Sequence, residues 1–245
     1  MTSAAFAPKA RSLDPAKFRD PDTTAKGERR ARVVLRRLET LWFNTGTLCN
    51  LTCANCYIES SPTNDRLVYL TAKEVAAYLD EIEREGLGTR EIGFTGGEPF
   101  MNPEIVAMLD DALRRGLRVM VLTNAMRPMM KLAAPLLALR HKFGELLTIR
   151  VSIDHYSKAL HETERGRNSF DRTMMGLCWL VENGFRVHVA GRTFWGEPEA
   201  RLRAGFARLF AERSVPVDAG DPQALVLFPE MDAEADVPEI TEACW

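Results

Sequence analysis

Residues 91–106 read Glu91-Ile-Gly-Phe-Thr95-Gly-Gly-Glu-Pro-Phe100-Met-Asn-Pro-Glu-Ile105-Val106. The short apolar run Glu91–Phe94 suits a strand covered on both faces, as parallel sheets demand. Thr95-Gly-Gly-Glu-Pro99 is turn chemistry: Gly96 and Gly97 permit positive φ and close backbone approach to a ligand, and Pro99 stiffens the exit. Asn102 followed by Pro103 predicts an N-cap and first helical residue, with Ile105, Val106, Leu109, Ala112 and Leu113 on one face and Gly116 closing the helix. Strand, tight turn and helix make one βα unit, whose turn lies at the carboxyl rim where α/β folds place their active sites. Glu98 sets a carboxylate there, suited to a ligand ammonium.

The same alternation continues in both directions. Apolar runs at Thr40–Phe43, Arg118–Leu122, Leu147–Ile153, Arg186–Ala190 and Ala224–Phe228 predict five more strands. Between them, Thr71-Ala-Lys-Glu74 is a capping-box pattern, with Val75, Tyr78, Leu79 and Ile82 at helical spacing before Gly86. Further helices are expected at Arg127–Lys142, kinked or divided by Pro135, and at Phe170–Asn183 and Pro198–Glu212. Because crossovers are right-handed, six such units curl into a partial (βα)6, TIM-like barrel around a parallel sheet. An open doubly wound sheet is the competing architecture that strand runs alone do not exclude. The reading divides the chain into an N-terminal extension (1–37), the barrel (38–230) and a C-terminal tail (231–245).

With 245 residues, 46% of them hydrophobic, the chain is long enough for a real core. Its 32 basic and 34 acidic residues nearly cancel, so no cationic field draws it to nucleic acid or to anionic lipid, and a small-molecule or peptide substrate is favoured. No stretch approaches the roughly 20 apolar residues of a membrane span, and no secretory h-region opens the chain. A cytoplasmic address follows by default.

Five cysteines are an odd set, and three of them crowd into Cys49-Asn-Leu-Thr-Cys53-Ala-Asn-Cys56, just after the first predicted strand. That spacing favours a reducing compartment and a metal or redox centre over a disulfide framework. Thiolates are soft ligands for Fe–S clusters, Zn or Cu(I), and three on one short loop suit adjacent corners of a cuboidal cluster. One iron would then lack a protein ligand and stay open to a substrate or cofactor. Zinc is the alternative, but it closes its tetrahedron with a fourth Cys or His, and the four histidines are all distant in sequence.

The pair of motifs, C-x3-C-x2-C and then strand-GGEP-helix, resembles the radical SAM superfamily over roughly residues 38–230. The resemblance implies a partial barrel, a [4Fe–4S] cluster on Cys49, Cys53 and Cys56, and S-adenosyl-L-methionine (SAM) on the unique iron. It implies reductive cleavage of SAM to a 5′-deoxyadenosyl radical that abstracts hydrogen from substrate, with an electron donor such as flavodoxin or ferredoxin. By position, Gly96, Gly97, Glu98 and Pro99 match the family's cofactor turn. Thr123-Asn124 matches its Thr-Asn pair, and Ser152-Ile-Asp154 its Ser-x-Asp near the ribose or carboxylate. Arg192, read as lying just past the fifth strand, would pair with the methionine carboxylate. Ordinary turn chemistry for Thr123, Asn124 and Asp154, and a solvated charge for Arg192, are the plainer readings. One departure stands out: the family's aromatic before the third cysteine is Asn55 here, with Tyr57 one place after that cysteine. Tyr57 would then serve the adenine, or Asn55 would bond the adenine edge or the loop backbone.

His155 and His161, in a predicted loop 155–168, read as surface histidines, and Cys178 as a core residue of an apolar helix. Cys178 and Cys244 are too few for an auxiliary four-thiolate cluster. Pro238-Glu-Ile-Thr-Glu reads as the start of a helix, so the C-terminus is read as incomplete. A non-catalytic Fe–S or zinc module, sensor or scaffold, is the reading from another class.

Overall fold

The computed structural model describes residues 14–229 and 236–244. They divide into two units, Arg37–Glu230 and the pair Met1–Arg36 with Met231–Trp245. In the smaller unit the two terminal segments are joined through Glu239. Its carboxylate pairs with Arg30 and accepts from the Phe18 and Ala25 amides at 2.9 and 2.7 Å, while Arg30 bridges Thr241. Residues 236–240 form no helix; a 3-10 turn, Glu242–Cys244, follows the bridge instead.

The larger unit holds six parallel strands, β1 (Thr40–Asn44), β2 (Glu91–Thr95), β3 (Arg118–Thr123), β4 (Leu147–Ser152), β5 (Arg186–Arg192) and β6 (Leu225–Phe228). Their spatial order is the sequence order. An open doubly wound sheet reverses direction at a switch point, whereas here every crossover steps the same way and the sheet curls into a half-barrel. Helices α1 (Ala72–Arg84), α2 (Ile105–Arg114), α3 (Arg127–Met130), α4 (Ala133–Phe143), α5 (Lys158–Arg165), α6 (Ser169–Glu182) and α7 (Glu199–Glu212) connect the strands.

Strand alternation decides where the core sits. Phe43, Ile92, Phe94, Val121, Ile149, Val151 and Val189 face the helices and are buried, joined there by Leu79, Leu109, Leu177 and Phe206. The other face is not closed over as the sequence suggests. In register across it lie Trp42, which is 43% exposed, Gly93 and Met120, then Leu122, Arg150 and His188, all three half-buried. Arg150 donates to the Gln223 carbonyl at 3.0 Å and lies 3.4 Å from His188 Nδ1.

Local chemistry sets the helix ends. Thr71 and Glu74 form the capping box that opens α1. Asn102 is not the cap of α2. Proline at 99 starts a 3-10 turn, Pro99–Met101, and the Asn102 carboxamide is spent on the Leu70 and Thr45 carbonyls at 2.8 and 3.2 Å and on the Glu104 amide. Helix α2 therefore begins at Ile105 behind Glu104. The expected helix 127–142 divides at Lys131–Leu132, ahead of Pro135. Proline suits the first turn, where its missing N–H has no carbonyl to meet. The predicted loop 155–168 contains α5, capped by Ser157 and ended by Gly166. Cys178 is half-buried and not part of the core, and of the adjacent methionines at 129–130 and 174–175 only Met129 and Met174 are buried.

Candidate active site

The turn after β2 and the loop after β1 are built against one another at the carboxyl rim. Gly97 and Glu98 donate their amides to the Gly46 and Leu48 carbonyls at 2.8 and 3.0 Å. A Cβ on Gly97 would stand 2.2 Å from the Leu48 oxygen, and Gly96 sits at φ +130°. In this structure the close approach that the two glycines permit is to the cysteine loop itself. The loop is tied at further points: Cys49 N to Ser61 O at 3.0 Å, Thr47 Oγ1 to Asn64 O at 3.0 Å, and Thr45 N to Thr95 O at 2.8 Å.

All three loop cysteines are free thiols, Cys49 buried and the other two half-buried. Backbone amides already point at two sulfurs, Leu51 N at Cys49 Sγ (3.4 Å) and Ser60 N at Cys56 Sγ (3.3 Å). Burial pushes the Cys49 thiol up to about 12, and raises Cys53 against the opposing pull of Arg165. A cation is what such thiols need in order to ionise.

Glu98 is buried beneath the loop and turned inward. Its carboxylate accepts from Thr123 Oγ1 (2.8 Å), Asn124 N (2.9 Å) and Phe100 N (3.2 Å). Burial outweighs these donors and pushes its pKa up to about 7. Asn124 carries the network onward, its Nδ2 donating to Asn50 Oδ1 at 2.9 Å and lying 4.0 Å from Cys49 Sγ. Thr123, Asn124 and the GGEP turn are thus one hydrogen-bonded group. Pro99 is buried, opening the 3-10 turn.

The opposite wall comes from β4, α5 and β5. Asp154, two residues past Ser152 at the end of β4, is 2% exposed and takes a two-pronged ion pair from Arg165 at 2.6 and 3.0 Å. Burial acts to raise its pKa, but Arg165 and then Arg192 outweigh it and hold the carboxyl below the usual range. Arg192 is the last residue of β5 and not beyond it, and its side chain is 19% exposed. It reaches Asp154 at 3.5 Å and donates to the Asn55 carbonyl at 3.0 Å.

Helix α5 also grips the cysteine loop. The Glu164 carbonyl accepts from Ala54 N at 2.9 Å, and its carboxylate accepts from Asn55 N and Nδ2 at 2.8 and 2.9 Å. The two residues between Cys53 and Cys56 are therefore both held by Glu164. Asn55 spends its amide group on this carboxylate, and Tyr57 is 67% exposed.

Both loop histidines are buried, contrary to the sequence reading. His155 packs against Tyr156 and Trp195 and bonds Glu197 at 2.8 Å. Trp195 donates to the Asp154 carbonyl at 3.1 Å, so the segment after β5 is latched to the end of β4. His161 packs edge-on against Phe170 with neither ring nitrogen bonded, and burial lowers its pKa to about 4. Glu164, Arg165 and Glu197 escaped the sequence reading. The signal available for the first two was Ser157 as an N-cap, with His161, Glu164 and Arg165 at helical spacing before Gly166.

The Radical SAM superfamily model matches residues 43–199, a span that includes both motifs and both walls of this site. The chain belongs to the radical SAM superfamily. Among its curated relatives, the antilisterial bacteriocin subtilosin biosynthesis protein AlbA of Bacillus subtilis is 33% identical over 60% of this chain and 31% of its own length. The mycofactocin maturase MftC of Mycolicibacterium smegmatis is 28% identical over 56% of this chain and 33% of its own. Among solved structures, Streptococcus suis SuiB bound to S-adenosylmethionine superposes with a TM-score of 0.62 at 15% identity, covering 83% of this chain and 43% of that one. It shares the partial-barrel fold. The chain spans about a third of the length of these curated relatives.

Radical SAM membership implies a [4Fe–4S] cluster and SAM, and the residues present fit such a group. Three free thiols sit on one anchored loop, near enough for Cys53 to feel both Cys49 and Cys56 electrostatically. Among the described residues no three His, Cys, Asp or Glu side chains converge as ligands of a single ion. A cuboidal cluster takes each thiolate on a different iron and requires no such convergence.

Proposed function

We propose that this chain is a radical SAM enzyme in which Cys49, Cys53 and Cys56 hold a [4Fe–4S] cluster and the carboxyl rim holds SAM. When bound, the cluster supplies one electron that breaks a sulfonium C–S bond of SAM, releasing methionine and a 5′-deoxyadenosyl radical that takes a hydrogen atom from substrate. The observation that carries this reading is the hydrogen-bonded union of the cysteine loop with the GGEP turn. It places three thiols and the rim that would take the cofactor in one rigid unit.

The chain's own residues have distinct tasks in this reading. Gly96, Gly97, Glu98 and Pro99 shape the amino-group side, with Glu98 oriented by Thr123 and Asn124. Ser152, Asp154 and Arg192 form the ribose and carboxylate side, and Arg165 keeps Asp154 ionised. Asn55 is engaged by Glu164, so adenine recognition falls to backbone and to Tyr57. A flavodoxin or ferredoxin would supply the electron. The substrate is a small molecule or a peptide; the peptide option is supported by AlbA, named for bacteriocin biosynthesis, and by the solved complex of SuiB with the precursor peptide SuiA.

Anaerobic reconstitution tests the reading. The protein should take up about four irons, show [4Fe–4S] absorption and release 5′-deoxyadenosine with dithionite. Cys53→Ala should abolish all three, and cleavage surviving in that variant would refute the assignment. A cluster-binding sensor would instead show no change in its paramagnetic resonance on adding SAM, and a zinc module would take up zinc and show no cluster signal at all.

A further inference from the structure

Beside the cysteine loop lies a cavity of about 750 Å³. Phe100, Met126 and Leu132 supply an apolar floor, and Arg127, Lys131 and Arg172 stand around it with exposed side chains. No carboxylate lines it. None of the three cations has an ion-pair partner among the described residues, whereas Arg114, Arg115, Arg118 and Arg203 each hold a carboxylate. Three unpaired like charges around an apolar hollow repel one another, and the complementary occupant is an acidic surface with an apolar projection.

The position of the cavity narrows the occupant. Its wall includes Asn50, the neighbour of Cys49, and Asn50 is bonded to the Asn124 amide that approaches Cys49 Sγ. Gly96, Gly97, Glu98, Asp154 and Arg192, the residues proposed for SAM, do not line it. A hydrogen-donating substrate must touch the carbon radical and so belongs at the SAM rim. A reductant needs only to come close to the cluster.

We propose that this cavity and its three cations are the docking face for an acidic one-electron carrier protein of the flavodoxin or ferredoxin kind. The proposal rests on the cluster reading given above. The carrier is oxidised by one electron, the cluster is reduced by that electron, and no bond or proton changes hands.

The test uses the full chain, reconstituted, with a bacterial flavodoxin as probe, its binding followed by flavin fluorescence. Joint Arg127→Glu, Lys131→Glu and Arg172→Glu substitution should weaken binding at low salt at least about tenfold and flatten its salt dependence. Flavodoxin-driven 5′-deoxyadenosine release should fall in step, while dithionite-driven release stays at the parent level. The triple Gln variant should fall between, which controls for misfolding. Unchanged flavodoxin affinity and unchanged flavodoxin-driven release overturn the proposal, and that is the result expected of a cavity reserved for an acidic peptide. Failure of dithionite to drive cleavage in the parent chain would instead strike at the cluster reading and not at the docking face.

Discussion

Gly97 shows why a turn glycine here is a packing requirement. Any side chain would drive into the Leu48 carbonyl, so Gly97→Ala must push the cysteine loop from the GGEP turn. Overpacking of this kind costs about 1–3 kcal/mol. The expected outcome is a lower urea midpoint together with reduced iron uptake on reconstitution. Glu164 is a positioning residue of another kind. Glu164→Ala leaves the exposed Asn55 without its two carboxylate bonds, a net loss of about 1 kcal/mol because water can take the freed donors. Cys53 and Cys56 of the apoprotein should react faster with a thiol reagent, and the reduced cluster's resonance should shift. Asn55→Asp sets two carboxylates face to face and should do the same. Combining it with Glu164→Gln reverses the donor and acceptor roles and should restore both signals, a rescue that a general loss of packing would not give.

At the scale of the element, α5 is short and strongly polar, with His161 and Glu164 buried and the Arg165 side chain largely covered. Such a helix has little intrinsic stability and depends on its cap and its tertiary bonds. Ser157 accepts from Leu160 N, so Ser157→Ala should cost about 1 kcal/mol, read as a lower Tm. Thr71→Ala, which breaks the capping box of α1, should cost a similar amount. The two should differ in their consequences. Only the α5 variant should speed amide exchange at Ala54 and Asn55 and lower iron uptake, because of these two helices it is α5 that holds the arc between Cys53 and Cys56.

Across the whole molecule, buried ionisable groups make stability depend on pH. His161 is held neutral by burial, with its pKa near 4 against an ordinary 6.5. A base depressed in this way contributes stability that is complete above pH 6.5 and is lost as pH falls through 4, up to about 3 kcal/mol. Glu98 has the opposite sign. Raised to about 7, its contribution is complete below the ordinary carboxylate range and is lost as pH rises through neutrality. Urea unfolding of the apoprotein between pH 7 and 4 should show the acid loss, and His161→Leu should flatten that limb. An unchanged limb in the variant would show that another group controls it.

The strands were legible because parallel strands read as dense Val, Ile, Leu and Phe runs, and the observed bounds differ from the expected ones by two residues at most. The cysteine loop and the GGEP turn were legible because their chemistry is written in consecutive residues. Helix α5 was not. It lacks the apolar stripe that reveals a helix, and its inward residues, His161, Glu164 and Arg165, look like solvent-facing charges until a partner is known. Asn102 read as a cap because its type permits one, but backbone carbonyls distant in sequence had a prior claim on its carboxamide. Sequence by itself determined the six-unit order, the thiol spacing and the turn that meets it, since each depends on neighbours within a few positions. Only tertiary structure decided that Glu164 clasps Asn55, that Arg165 neutralises Asp154, and that three cations surround one hollow. Those pairings are made by burial and distance between segments far apart along the chain, which no local pattern encodes.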